Sequence, residues 1–238
     1  MFHPRKLLRA PIFCYVTDRK GLAAADNDQN EALLKRVATA AAAGIDWIQI
    51  REKDLSAKEL SSVTREAVTQ TKQINERSRQ TSLILVNERM DVAYSERAGG
   101  VHLGEHSLPI ADVCRWLDAK ADFAERDKFL IGVSCHSVQA AASAARDGAD
   151  YIFFGPVFAT PSKAAFGQPQ GLQRLAETCS SVSIPVLAIG GITLDNAADC
   201  FAAGAGGIGA IRLFQDAENL AAVVTELRAK LPLKKAGE

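Results

Sequence analysis

The chain has 238 residues, and its 28 Lys+Arg balance 28 Asp+Glu, so no bulk charge attracts nucleic acid or an anionic membrane. Hydrophobic residues make up 47% and charged residues 24%, an ordinary soluble composition, and no apolar run approaches the ~18 residues of a membrane span. The five cysteines (Cys14, Cys114, Cys135, Cys179, Cys200) are scattered, odd in number and free of CxxC spacing, which argues against a disulfide framework or a zinc site and for a reducing cytoplasm.

In chain order, Met1–Ala10 is basic but lacks the apolar core of a signal peptide, so it is expected to be a frayed tail. Short apolar runs then predict eight strands, at 12–17, 47–51, 83–87, 100–103, 129–134, 151–155, 186–189 and 207–211. Most are apolar throughout, as parallel strands buried on both faces must be. Helical periodicity fills the intervals, for example over 30–43, 57–77 and 139–146. The charged stretch 118–128 reads as a solvated loop, and the basic segment 230–238 as a second frayed tail, leaving an ordered core of about 11–230. A weak repeat runs through the chain: Gly44-Ile45-Asp46-Trp47, Gly99-Gly100-Val101, Gly148-Ala149-Asp150-Tyr151 and Gly204-Ala205-Gly206-Gly207. Each is a helix end with a C-cap glycine followed by an apolar strand, recurring about every 50–55 residues, roughly two βα units. Eight βα units in a chain close to the ~250 usual residues predict a single (β/α)8 barrel domain spanning 1–238.

Chemistry in such barrels sits at the C-terminal strand ends. The seventh and eighth strands carry the sharpest signal. Val186-Leu187-Ala188-Ile189 stops at Gly190-Gly191, and Gly206-Gly207-Ile208-Gly209-Ala210-Ile211 leads into Arg212. A helix-like segment opened by Thr193 and Asp195 lies between. Bare backbone N–H groups at such turns suit a phosphate. Strand 2 ends Gln49-Ile50-Arg51-Glu52-Lys53, and period-2 geometry puts Gln49, Arg51 and Lys53 on the inner face, with Ile50 and Glu52 opposite. An inward arginine is costly without an anion, so this end is read as an anion site.

Strand 3 ends Asn87-Glu88: Asn87 can bond a heteroaromatic ring or cap the next helix, and Glu88 can help to hold a divalent ion. Strand 4 ends His102-Leu103-Gly104-Glu105-His106-Ser107, a weak metal pattern in which His102 is read as packed inside the barrel. Strand 5 ends Ser134-Cys135-His136-Ser137, with Ser134 and His136 on one face, Cys135 a buried filler and His136 a candidate general acid/base. Strand 6 opens a long loop, 157–170, whose Thr160, Ser162 and Lys163 suit a second phosphate or a lid.

Taken in order, Tyr15-Val16-Thr17-Asp18, Gln49-Ile50-Arg51-Glu52-Lys53, Val86-Asn87, Val101-His102-Leu103-Gly104, Gly132-Val133-Ser134, Gly155 to Lys163 and Ala188-Ile189-Gly190-Gly191-Ile192 resemble the thiamine phosphate synthase family and its close relative, the thiazole tautomerase. The resemblance runs from about Tyr15 to Arg212. It implies a (β/α)8 barrel that joins a hydroxymethylpyrimidine diphosphate to a thiazole phosphate carboxylate, releasing diphosphate with Mg2+. It further implies that Gln49, Arg51 and Lys53 bind the pyrimidine diphosphate, and that Asn87 and Ser134 touch the pyrimidine or its leaving group. Thr160, Ser162 and Lys163 would serve the phosphates, and Gly191 with the backbone near Ile211-Arg212 the thiazole phosphate. The chain departs from the synthase pattern at Glu88, where Asn-Asp is usual, at Ser107, where the second metal carboxylate would fall, and at Arg212 in place of a serine. Mg2+ would then rest on Glu88 or Glu105. The tautomerase needs neither metal nor diphosphate and would use His136. A non-catalytic barrel that binds phosphorylated ligands is a third possibility, and oligomeric state is left open.

Overall fold

The computed structural model describes residues 11–22, 28–78, 81–105, 107–120, 128–160 and 168–231. Eight parallel strands close into a barrel in sequence order: β1 (Ile12–Val16), β2 (Trp47–Ile50), β3 (Leu83–Asn87), β4 (Gly100–Leu103), β5 (Leu130–Cys135), β6 (Tyr151–Phe154), β7 (Val186–Ile189) and β8 (Gly207–Ala210). Helices α1 (Gln29–Ala42), α2 (Ala57–Ser78), α3 (Met90–Ser95), α4 (Ile110–Lys120), α5 (Val138–Arg146), α6 (Gly171–Ser181), α7 (Ala197–Ala202), α8 (Arg212–Gln215) and α9 (Leu220–Ala229) surround it. The fold is thus the expected (β/α)8 barrel. Both predicted tails fall largely outside the described residues, as does most of the predicted loop 118–128, whose first residues, through Lys120, instead finish α4. No helix among the described residues is long and apolar enough to cross a membrane.

Strand alternation divides the core in two. Phe13, Ile48, Ile84, Val101, Ile131, Ile152 and Ile208 point outward and pack on the helices. Ile12, Cys14, Trp47, Leu85, Leu130, Tyr151, Phe153 and Leu187 fill the barrel interior. The interior is tight enough to dictate residue choice. A Cβ at Gly132 would lie 1.9 Å from the Tyr151 ring, and one at Gly100 2.2 Å from the Leu130 carbonyl oxygen.

The repeat seen in the sequence has a physical origin at the N-terminal strand ends. Gly44, Gly148 and Gly204 take positive φ where α1, α5 and α7 end. The carboxylates of Asp46 and Asp150 then accept the N–H of Phe13 and Ile131 on the neighbouring strands, at 2.7 and 2.8 Å. The second of the four members departs from this plan: Arg97, at φ 55°, takes the left-handed position and Gly99 serves close packing. Arg228 of α9 seals this end, with its guanidinium on Asp46, on the Pro11 carbonyl and 4.2 Å from the Phe13 ring centre.

Candidate active site

At the C-terminal strand ends the inner face turns polar. Gln49, Asn87, His102 and Ser134 stand at the inward positions of β2 to β5, beyond the apolar filling. Gln49 is buried and donates to Asn87 Oδ1 at 2.9 Å, so Asn87 does not cap α3, whose N-cap is Arg89. His102, 2% exposed, is packed inside the barrel as expected, with Nδ1 3.0 Å from the Tyr151 hydroxyl and Nε2 3.0 Å from Ser134 Oγ.

Strand β2 ends at Ile50 rather than at Arg51, so strict alternation stops there and the expected face for Lys53 is not imposed. Arg51 is half-buried, and its guanidinium makes no hydrogen bond or ion pair among the described residues. Its backbone N–H donates to Thr17 Oγ1 at 3.0 Å. Lys53 is exposed at the rim, 3.7 Å from Glu88 Oε2. Glu52, assigned by alternation to the opposite face, is 5% exposed and folds back onto the end of β1. It accepts from Thr17 Oγ1 at 2.5 Å and from the Arg19 backbone N–H at 3.1 Å. Burial pushes its carboxyl above the usual range, against these hydrogen bonds and Arg19. Thr17 and Glu52 therefore anchor the turn that presents Arg51. Sequence reading missed this role, and its signal was an acidic residue between two cations.

Glu88 adopts φ 59° and spreads its carboxylate over three partners: Asn87 Nδ2 at 3.0 Å, Ser107 Oγ at 2.9 Å and Lys53. A cleft of about 260 Å³ opens between Lys53, Glu52, Asn87, Glu88 and Arg89. Glu105 lies apart from these contacts, 3.9 Å from His136 Nε2. No group of three His, Cys, Asp or Glu comes together among the described residues. A lone carboxylate such as Glu88 still suits Mg2+, which commonly takes one or two carboxylates and completes its shell with water and substrate phosphate.

His136 is half-buried, and its Nδ1 faces the Gly155 carbonyl, so it donates there and leaves Nε2 at the mouth beside Glu105. Ser137, not His136, caps α5 by accepting from Ala140 N–H at 3.1 Å. Cys135 is a buried filler as expected, its thiol pushed up to about 12 by burial and then by Glu105.

On the far side of the mouth the site is backbone. Gly190 and Gly191 take φ 93° and 67°, and a Cβ on them would lie 2.5 Å from Pro156 Cβ and 2.6 Å from the Ala159 carbonyl oxygen. They let β7 meet the strap after β6, where Phe158 N–H reaches the Gly190 carbonyl at 3.0 Å. The following helix does not open at Thr193 and Asp195. Those residues form a turn closed by Asn196, which accepts from Thr193 N–H and donates to the Gly191 carbonyl, and α7 begins only at Ala197. After β8, Ile211 is half-buried facing the interior, and exposed Arg212 opens the short α8. Its first N–H groups have no partner within the helix. Thr160 ends the described part of the β6 strap, and Ser162 and Lys163 lie outside the described residues.

A closed (β/α)8 barrel with a free arginine, a row of inward polar side chains and a glycine turn at its C-terminal mouth belongs to the enzyme class that works at that mouth. Residues 20–214 match the family model described as thiamine monophosphate synthase, and the chain belongs to that family. It is 40% identical over 200 residues, 83% of its length and 87% of the relative's, to a thiamine-phosphate synthase of Methanoculleus marisnigri. It is 33% identical to one of Chlorobium luteolum, with 96% and 97% of the two chains covered. A solved thiamine phosphate pyrophosphorylase from Pyrococcus furiosus superposes with a TM-score of 0.75 at 30% identity, covering 95% and 96% of the chains.

Proposed function

We infer that the chain is a transferase that couples hydroxymethylpyrimidine diphosphate to thiazole phosphate or its carboxylate, giving thiamine phosphate and diphosphate, with CO2 also released when the carboxylate is the substrate. The observation that carries this reading is the convergence of Gln49, Asn87, His102 and Ser134 on the strand ends that also carry Arg51, whose guanidinium is unpaired among the described residues, in a chain whose residues 20–214 match that family.

Arg51 and Lys53 take the diphosphate, and Lys53 leaves Glu88 to do so. Gln49 and Asn87, already bonded to each other, present their remaining amide groups to the pyrimidine, and Ser134 meets the same ring or its leaving oxygen. The C–O bond ionises with its electron pair departing on the diphosphate oxygen, and the thiazole nitrogen then attacks the resulting cation. The rate comes from charge placed in advance and from alignment. The N–H groups around Gly190-Gly191 and at the start of α8, near Ile211 and Arg212, hold the thiazole phosphate. Thr160, Ser162 and Lys163 serve the thiazole phosphate and the diphosphate. Glu88 would hold Mg2+, which neutralises charge on the departing diphosphate; Glu105, paired with His136, is the weaker candidate. The five free cysteines fit a reducing cytoplasm.

A second reading, isomerisation of the thiazole without metal, is favoured by the Nε2 of half-buried His136, which lies beside Glu105. One experiment separates the two: both substrates are supplied with and without Mg2+, and diphosphate, thiamine phosphate and thiazole isomers are measured. Coupling that needs Mg2+ is the expected result. Isomerisation alone, surviving complete chelation, would overturn it.

A further inference from the structure

Tyr151 is fully buried in the barrel interior, and no step above uses it. Its ring lies 4.6 Å, centre to centre, from Trp47 and 5.6 Å from Phe153, and it fits only because residue 132 is glycine. Held on these sides, its hydroxyl has one hydrogen-bond partner among the described residues, His102 Nδ1 at 3.0 Å. Burial keeps the phenol protonated, pushing its pKa well above the usual value. A buried O–H with a single available acceptor donates to it, because the opposite arrangement would strand the phenol hydrogen in apolar surroundings. His102 Nδ1 is therefore the acceptor. A neutral imidazole then carries its hydrogen on Nε2, which faces Ser134 Oγ at 3.0 Å. Ser134 accepts from His102, and its own hydrogen is left for the mouth, where the residue is half-buried.

We propose that Tyr151 and His102 are positioning residues that set the direction of a hydrogen-bond chain, Tyr151 to His102 to Ser134, so that Ser134 meets the substrate as a donor. The partner it selects is an acceptor: a ring nitrogen of the heteroaromatic substrate or an oxygen of its leaving diphosphate. Reversing the chain would turn Ser134 toward His102 and leave it only lone pairs to offer. This deepens the coupling reading and rests on it for the identity of the acceptor, but the direction of the chain is a property of the free protein.

The test has two parts. In 15N spectra of the full-length protein without substrate, His102 should show the Nε2–H tautomer, and Tyr151→Phe, which keeps the ring and removes the donor, should shift it toward Nδ1–H. In the coupling assay Tyr151→Phe should lower kcat about tenfold with KM little changed. Ser134→Ala should lose at least as much, and the double variant should lose no more than Ser134→Ala alone. An Nδ1–H tautomer in the wild-type protein overturns the proposal, as do additive losses in the double variant. The wild-type spectrum decides the direction even if a variant fails to fold. An Nε2–H spectrum from a protein that does not couple supports the chain and rejects the reaction.

Discussion

The mouth of the barrel has two unlike arcs. From β1 to β5 it is built of side chains that hold one another: Gln49 on Asn87, Asn87 on Glu88, His102 on Ser134, Glu52 on Thr17. From β6 to β8 the described residues build it mainly of backbone, with Gly190 and Gly191 pressed against Pro156 and Ala159. In the first arc chemistry sits at the ends of side chains, so a substitution can remove function and leave the fold. In the second the polar groups are the chain itself, so a substitution must move the fold to touch them. On the reading proposed above, the two phosphate-bearing substrates would meet different kinds of site, one of side-chain cations and one of backbone N–H groups.

The backbone arc should break hardest. Gly190→Val places a branched side chain at φ 93° with Pro156 2.5 Å from its Cβ, and the expected loss is about 3 kcal/mol or more, or failure to fold. Urea unfolding measures it, and a variant as stable as the wild type would show that the strap after β6 can move aside. Arg51→Ala in the side-chain arc should do the reverse. With no partner to lose, it should unfold within about 0.5 kcal/mol of wild type while kcat/KM for coupling falls about a hundredfold. A destabilised variant with normal turnover per folded molecule would make Arg51 structural.

His136 lies where the arcs meet, bonded to Gly155 at the start of the strap. His136→Asn should cost coupling about tenfold, since proton transfer is secondary to charge placement there, and should abolish any thiazole isomerisation. Coupling untouched alongside lost isomerisation, both followed on one preparation, would assign His136 to the second reaction.

The smallest effect concerns Glu52. Its folded-state pKa is raised by burial, so the folded protein binds a proton more tightly than the unfolded chain. Stability from this group is present below the ordinary value of 4.5 and declines as pH rises from there through the raised value. Glu52→Gln should flatten that decline while keeping a hydrogen-bond acceptor for Thr17. Unfolding curves across this range would show it, and an unchanged slope would mean that Arg19 compensates the charge in full.

Strand order and inner face were legible because buried parallel strands demand continuous apolar runs, and because alternation within a strand is steric. The inward placement of Gln49, Asn87 and Ser134 follows from that alone, as does the packing of His102. Legibility ended where the strands did. Beyond Ile50 the chain turns, so Glu52 folds back onto Thr17 and Arg19 at the end of β1 and Lys53 sits at the rim, partners that alternation alone does not name. Beyond Gly191 an Asn196-closed turn replaced the expected helix start, because local side-chain hydrogen bonds compete with helix formation.

By itself the sequence determined the barrel, its register of inner and outer residues, and which strand ends carry polar groups, since these depend on periodicity and burial along one segment at a time. Only the tertiary structure decided the partnerships: Tyr151 with His102, Glu52 with Thr17, Gly190 with Pro156. Each joins segments that meet only when the barrel closes, and a hydrogen bond or steric contact between such segments leaves no periodic trace in either one.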